Sequence, residues 1–227
     1  MENNGLADNF TNTSTPVASA PAYLKIPANI FSILFHPLFI PAYITAYLLY
    51  LHPYAFAGIP QERKIFTLIP VIFNTFFLPA FSVFIMKQLG FVSSIRLQTQ
   101  RDRVIPYITS MIFYFWIWYV ARNTPDMPKE LVAFLLATFL ITIAGLMSNI
   151  YFKVSMHTMA AGALLVFFIW YAFASSVPVN TYLAAAILIT GLVATSRLIA
   201  GAHTSFEIYA GLFIGAACQL ISIFIAG

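Results

Sequence analysis

His203 and Glu207 stand four residues apart, and on a helix positions i and i+4 share a face. A carboxylate that accepts one imidazole N–H fixes the tautomer and leaves the other ring nitrogen free to attack or to abstract a proton. The stretch that leads to this pair reads Ser196-Arg197-Leu-Ile-Ala-Gly-Ala-His203-Thr-Ser-Phe-Glu207. A second histidine closes Lys153-Val-Ser155-Met-His157, and a basic stretch holds Arg96, Arg101 and Arg103 with one acid, Asp102. Arginines hold phosphate oxygens through a planar fork of donors. An oriented histidine can be a nucleophile, a second can protonate a leaving oxygen, and a helix N-terminus adds positive potential. Together these parts describe a phosphate site. His203, His157 and Glu207 are its catalytic candidates; Arg96, Arg103, Ser155, Arg197 and Lys153 are its phosphate-binding candidates. No carboxylate cluster indicates magnesium and no Cys/His cluster indicates zinc, so neither metal nor cofactor is expected.

Each residue also has a plainer reading. His203 with Glu207 could lock two helices together, and Ser155 with His157 could cap a helix start. Arg197 could anchor a helix end by snorkelling. Arg96 and Arg103 could form an anionic-lipid patch. His36 and His52 read as structural or interfacial. Against these stands the company the residues keep: Glu207 is the one acid at the start of an apolar run, while Glu2, Asp8, Glu62, Asp102, Asp126 and Glu130 lie in the tail or in loops. An ionisable residue at membrane depth is costly and calls for a partner.

The elements that must position these side chains are helices in a membrane. Of the 227 residues, 61% are apolar and only 8% charged, against roughly 45–50% and about 25% in soluble domains. That composition excludes a soluble enzyme, a disordered chain and a collagen-like fibre. Net charge of +4 gives no support to nucleic acid as a partner. The single cysteine, Cys218, cannot form an intrachain disulfide. Seven segments approach the roughly 20 apolar residues of a spanning helix: 28–50, 65–87, 104–121, 131–150, 158–177, 179–200 and 206–226. Their apolar runs are continuous rather than alternating, so a barrel is excluded and the fold class is all-α, a polytopic transmembrane bundle of six to seven spanning helices. The count is open because Pro27, Pro37 and Pro41 interrupt the first segment, which can be kinked or partly re-entrant. Residues 1–22 read as a disordered polar tail and 23–227 as a single transmembrane domain. Two crossings separate Arg96–Arg103 from His157, and two more separate His157 from Arg197–His203. An even count returns the chain to the same face, so all the candidates can converge there.

At these residues the chain resembles the type 2 phosphatidic acid phosphatase superfamily, which includes the vanadium-dependent haloperoxidases. Ser196-Arg197, five residues, His203, three residues, Glu207 matches the third family motif at every spacing, with Glu for Asp. Val154-Ser155-Met156-His157 keeps the Ser and His of the second motif, Pro-Ser-Gly-His. Arg96, six residues, Arg103-Val104 keeps the charge spacing of the first but lacks its Pro. The resemblance runs from Arg96 to Glu207; the first two segments add only hydrophobicity. It implies that His203 attacks phosphorus, His157 protonates the leaving group, Glu207 orients the nucleophile, and the basic residues with Ser155 hold the phosphate. It also implies a metal-independent phosphatase or phosphotransferase for a lipid phosphate or polyprenyl diphosphate, in the bacterial inner membrane with the periplasmic face favoured. Met156 in place of Gly and the missing prolines motivate an alternative: a catalytically altered lipid-binding or scaffold protein. A proton-coupled transporter using His203 and Glu207 ranks third. Gly211-Leu-Phe-Ile-Gly215 reads as a contact for internal helix packing.

Overall fold

The computed structural model describes residues 21–175 and 177–226. The expected polar tail therefore lies outside the described residues, except for its last two positions, where the first helix begins. Among the described residues there are eight helices and no strand: α1 (Ala22–Leu34), α2 (Ile40–Leu51), α3 (Gln61–Gln88), α4 (Gln100–Arg122), α5 (Lys129–Tyr151), α6 (Met156–Ala174), α7 (Asn180–Ile199) and α8 (Ser205–Ala226). The last six are long and apolar enough to cross a membrane. The chain is an all-α, multi-pass membrane protein.

Prolines decide where the early helices bend. The first apolar segment breaks at residues 35–39, where Pro37 cannot donate and the Leu38 N–H turns back onto His36 Nδ1 at 3.4 Å. Beyond the break α2 is only about 18 Å long, short of the roughly 30 Å of a bilayer core. It nonetheless carries the chain from His36, beside His157 at one end of the bundle, to His52, bonded to Tyr171 at the other. In α3, Pro70 and Pro79 flank a π-helical turn at Phe73–Phe77. Pro79 cannot satisfy the Thr75 carbonyl, and the Tyr114 hydroxyl of α4 donates to it instead at 3.2 Å. A proline is tolerated in a spanning helix when a neighbour supplies the missing donor in this way.

The centre of the bundle is α5, α6 and α8, whose Phe134, Leu135, Phe167, Met159 and Ile208 are fully buried. Helices α6 and α8 approach so closely that a Cβ on Gly215 would meet the Met159 carbonyl, and one on Gly211 would lie 2.8 Å from the Ser155 carbonyl. Gly162 returns the contact from α6 against the Leu212 carbonyl. The Gly211–Gly215 pair thus packs inside the chain, as expected. Large apolar side chains cover the outside, among them Phe66, Ile112, Trp116, Phe213 and Phe224; this is a surface suited to lipid rather than water.

His52 holds the end opposite His157, as its structural reading expects. Its Nδ1 accepts the Ala55 N–H at 2.8 Å, so Nε2 carries the proton and donates to the Tyr171 hydroxyl at 3.0 Å.

Candidate functional site

Three helix starts, those of α4, α6 and α8, and two helix ends, those of α1 and α7, build the site. Helix α8 begins with a reciprocal cap: the Thr204 N–H donates to Glu207 Oε2 at 3.1 Å, and the Glu207 N–H donates to Thr204 Oγ1 at 3.3 Å. This is the Ser/Thr-x-x-Glu arrangement that satisfies orphan amides at a helix N-terminus. The same Oε2 lies 3.0 Å from His203 Nδ1, which also lies 3.0 Å from the Lys153 carbonyl. Both neighbours are acceptors, so Nδ1 carries the proton and Nε2 keeps its lone pair. The pair is half-buried, with 3% of the His203 side chain and 17% of the Glu207 side chain exposed.

Helix α6 starts alongside. The Ser155 N–H donates to the Glu207 carbonyl at 3.4 Å, tying the two helix starts together. The Ser155 side chain makes no cap bond, and its Oγ is buried without a partner, so the plain capping reading does not account for it. His157 donates Nε2–H to the Ser32 carbonyl at 3.0 Å, which leaves Nδ1 as its bare nitrogen. The His36 ring stands edge-on to it, centroids 4.9 Å apart.

The cations gather at the same end. Arg103 donates Nε–H to the Leu97 carbonyl and Nη1–H to the Val154 carbonyl, both at 2.9 Å. Arg197 donates Nη1–H to Ser32 Oγ at 3.2 Å, while its Nε is buried without a partner. Lys153, on the link before α6, lies within electrostatic reach of Arg103, Arg197 and Glu207. Burial, and then the Arg103 guanidinium, pull its ammonium below the usual lysine range. Burial and then Arg103 likewise hold His203 well below the ordinary imidazole range, against the opposing pull of Glu207. His203 is therefore neutral at pH 7. Three cationic side chains face one carboxylate, and the cluster has room in its charge balance for an anion.

Of the candidates, the structure brings together His203, Glu207, Lys153, Ser155, His157, Arg103 and Arg197. It does not bring in Arg96. That residue is exposed in the loop before α4, and its one hydrogen bond among the described residues is a backbone N–H to Ser94 Oγ at 3.2 Å. The loop turns there because Asp102 in the first turn of α4 accepts the Ser93 N–H at 3.0 Å and the Ser93 hydroxyl. This clasp orients Arg103 inward and leaves Arg96 outside. Two residues of the site escaped the sequence reading, Ser32 and His36. The histidine carried a signal in its position next to Pro37 within an apolar run; the serine carried none.

A cleft of ≈ 550 Å³ opens at the other end of the bundle, lined by Phe56, Arg63, Phe66, Asp126 and Leu131 among others. It contains none of the candidate residues and is mostly apolar, so shape alone would misplace the chemistry. Comparison of the chain with family models, curated proteins and solved structures returned no match.

Proposed function

We propose that the protein is a metal-independent phosphatase or phosphotransferase for a lipid-linked phosphate or diphosphate, acting through a phosphohistidine at His203. The observation that carries this reading is the neutral His203, its Nδ1 proton committed to Glu207 and the Lys153 carbonyl, its Nε2 left bare and its ring within electrostatic reach of Arg103 and Arg197. In the first step the Nε2 lone pair forms a bond to phosphorus as the bond to the leaving oxygen breaks. His157, whose Nδ1 is bare at rest, takes the proton of the phosphate monoanion onto Nδ1 as the substrate binds and passes it to that leaving oxygen. In the second step water attacks phosphorus, the P–N bond breaks, and the water proton returns to His157. Arg197, Arg103, Lys153 and Ser155 bind the phosphate oxygens, and the apolar exterior leaves the lipid tail in the bilayer. The resemblance favours the periplasmic face of a bacterial inner membrane.

A second reading is a lipid-phosphate binder without turnover. It is favoured by Arg103, whose Nε and Nη1 both serve backbone carbonyls rather than pointing free.

Phosphate release from phosphatidate, phosphatidylglycerol phosphate, undecaprenyl diphosphate and a sphingoid phosphate, measured in detergent with EDTA present, separates the two. Wild type is expected to release phosphate from at least one, and His203→Ala to lose about 10⁴-fold or more. Arg197→Lys is expected to lose about 10- to 100-fold, because a point charge cannot copy a fork. Equal release by wild type and His203→Ala would sink the nucleophile assignment, whereas binding without any release would establish the second reading.

A further inference from the structure

Ser32 sits on α1, a segment whose sequence advertises only hydrophobicity, yet it touches two residues of the site through two different atoms. The direction of its hydrogen bonds follows from their neighbours. The Ser196 hydroxyl donates to the Val193 carbonyl at 2.8 Å, so toward Ser32 its oxygen accepts. The Ser32 hydroxyl therefore donates to Ser196 Oγ at 3.2 Å and accepts from Arg197 Nη1–H at 3.2 Å. A one-way chain results, from Arg197 through Ser32 and Ser196 to the Val193 carbonyl, with each proton used once. The Ser32 carbonyl meanwhile takes Nε2–H of His157. These contacts hold one edge of Arg197 and one nitrogen of His157; they leave Arg197 Nε buried without a partner and His157 Nδ1 as the unprotonated nitrogen.

A helix serving only as an anchor has no use for a buried hydroxyl, which costs free energy unless bonded. The outer side of α1 is what an anchor needs, with Ile26, Ile30 and Ile33 exposed to lipid; Ser32 is 6% exposed and faces inward against α7.

We infer that Ser32 is a positioning residue of the oxyanion site, aligning Arg197 through its hydroxyl and setting the tautomer of His157 through its carbonyl, so that α1 is a wall of the site. This rests on reading the cationic cluster as a site for a phosphate group. His36, edge-on to His157, lies on the same wall.

The test is binding of inorganic phosphate to the purified full chain by calorimetry, alongside ligand-free melting, for wild type, Ser32→Ala, Ser32→Cys, Ser32→Thr and Ile30→Ala. Cysteine keeps the volume but is a weak hydrogen-bonding group, so it serves should the alanine variant fail to fold. Ser32→Ala and Ser32→Cys are expected to bind phosphate about 10-fold more weakly, the worth of one charge-assisted hydrogen bond, with ligand-free melting unchanged. Ser32→Thr restores binding, and Ile30→Ala leaves it at the wild-type level. Wild-type affinity in both Ser32→Ala and Ser32→Cys would overturn the inference, as would weakening that follows a loss of melting temperature and is not rescued by threonine. Wild type that binds phosphate but hydrolyses no lipid would refute the catalytic proposal while Ser32 is still decided by affinity. Wild type that binds no phosphate would overturn both.

Discussion

Glu207 does two things with one oxygen: Oε2 accepts from the Thr204 amide, which starts α8, and from His203 Nδ1, which fixes the imidazole. Glu207→Gln keeps the length and removes the charge. The amide oxygen, held in place by the Thr204 N–H, can still accept from His203, but it lacks the negative charge that stabilises the cationic imidazole formed as Nε2 bonds to phosphorus, so a drop in kcat of about 10²- to 10⁴-fold is expected. The pH profile gives the sign. The proton affinity of His203 is already lowered by burial and by Arg103, and Glu207 is what raises it. Without that charge it falls further, and the acid limb of kcat/KM moves to lower pH than in wild type; an unchanged or rising limb would refute the assigned electrostatics. The same lowered affinity has a stability consequence. Between the folded value and the unfolded one, roughly 6.5, the unfolded chain binds more protons, so this residue's contribution is present above that window and is lost as pH falls through it. The His203–Glu207 contact was legible because it is local, i to i+4 on one helix start. The contact of Ser32 with Arg197 spans 165 positions and involves a hydroxyl in an apolar helix, which no spacing rule marks.

The element that sets the site's dimensions is the α6–α8 crossing, since the first turn of each helix carries part of the chemistry. A methyl added at Gly215 meets the backbone of Met159, which cannot swing aside as a side-chain tip would. The helices must separate, and Gly215→Ala is expected to cost about 1–3 kcal/mol, lowering the melting temperature by several degrees and activity with it. Gly191 on α7 is the control: nothing lies within 4 Å of an added Cβ, and Gly191→Ala is expected to stabilise by about 0.5–1 kcal/mol through helix propensity. Equal responses at the two glycines in thermal unfolding would show that the crossing is looser than described. Small residues spaced by four announced this contact in the sequence, and uninterrupted apolar runs announced the six long helices. The break of the first segment was foreshadowed by Pro37 and Pro41, but its outcome was not. Proline tells where a helix must stop, whereas only packing tells that the second half continues alongside α6 toward Tyr171. Arg96 was misplaced for a related reason: charge spacing does not record that Asp102 clasps Ser93 and turns the loop outward.

At the scale of the whole molecule, convergence of the site requires that the α4–α5 and α6–α7 pairs each run out and back. Basic residues do not force an orientation on this arrangement. With Arg103, Lys153 and Arg197 assigned to the cluster, Lys87, Arg96 and Arg101 on the site side stand against Arg63, Lys64, Arg122 and Lys129 on the other, so the charge asymmetry that normally orients a multi-pass chain is absent. The relative sidedness of the loops is nonetheless fixed by the fold and can be read without knowing which face is which. In a Cys218→Ser background, single cysteines at Arg101 and Ser205, both exposed at the site end, are expected to react with a membrane-impermeant maleimide from one face of sealed vesicles. Cysteines at Tyr54 and Pro178, exposed at the other end, are expected to react only from the opposite face. Arg101 and Ser205 reporting opposite faces would break the even count of crossings and, with it, the assembly of Arg103, His157 and His203 into one site; a shared face leaves a single polar cluster at one membrane surface, where a lipid headgroup can reach it while its tail stays in the bilayer.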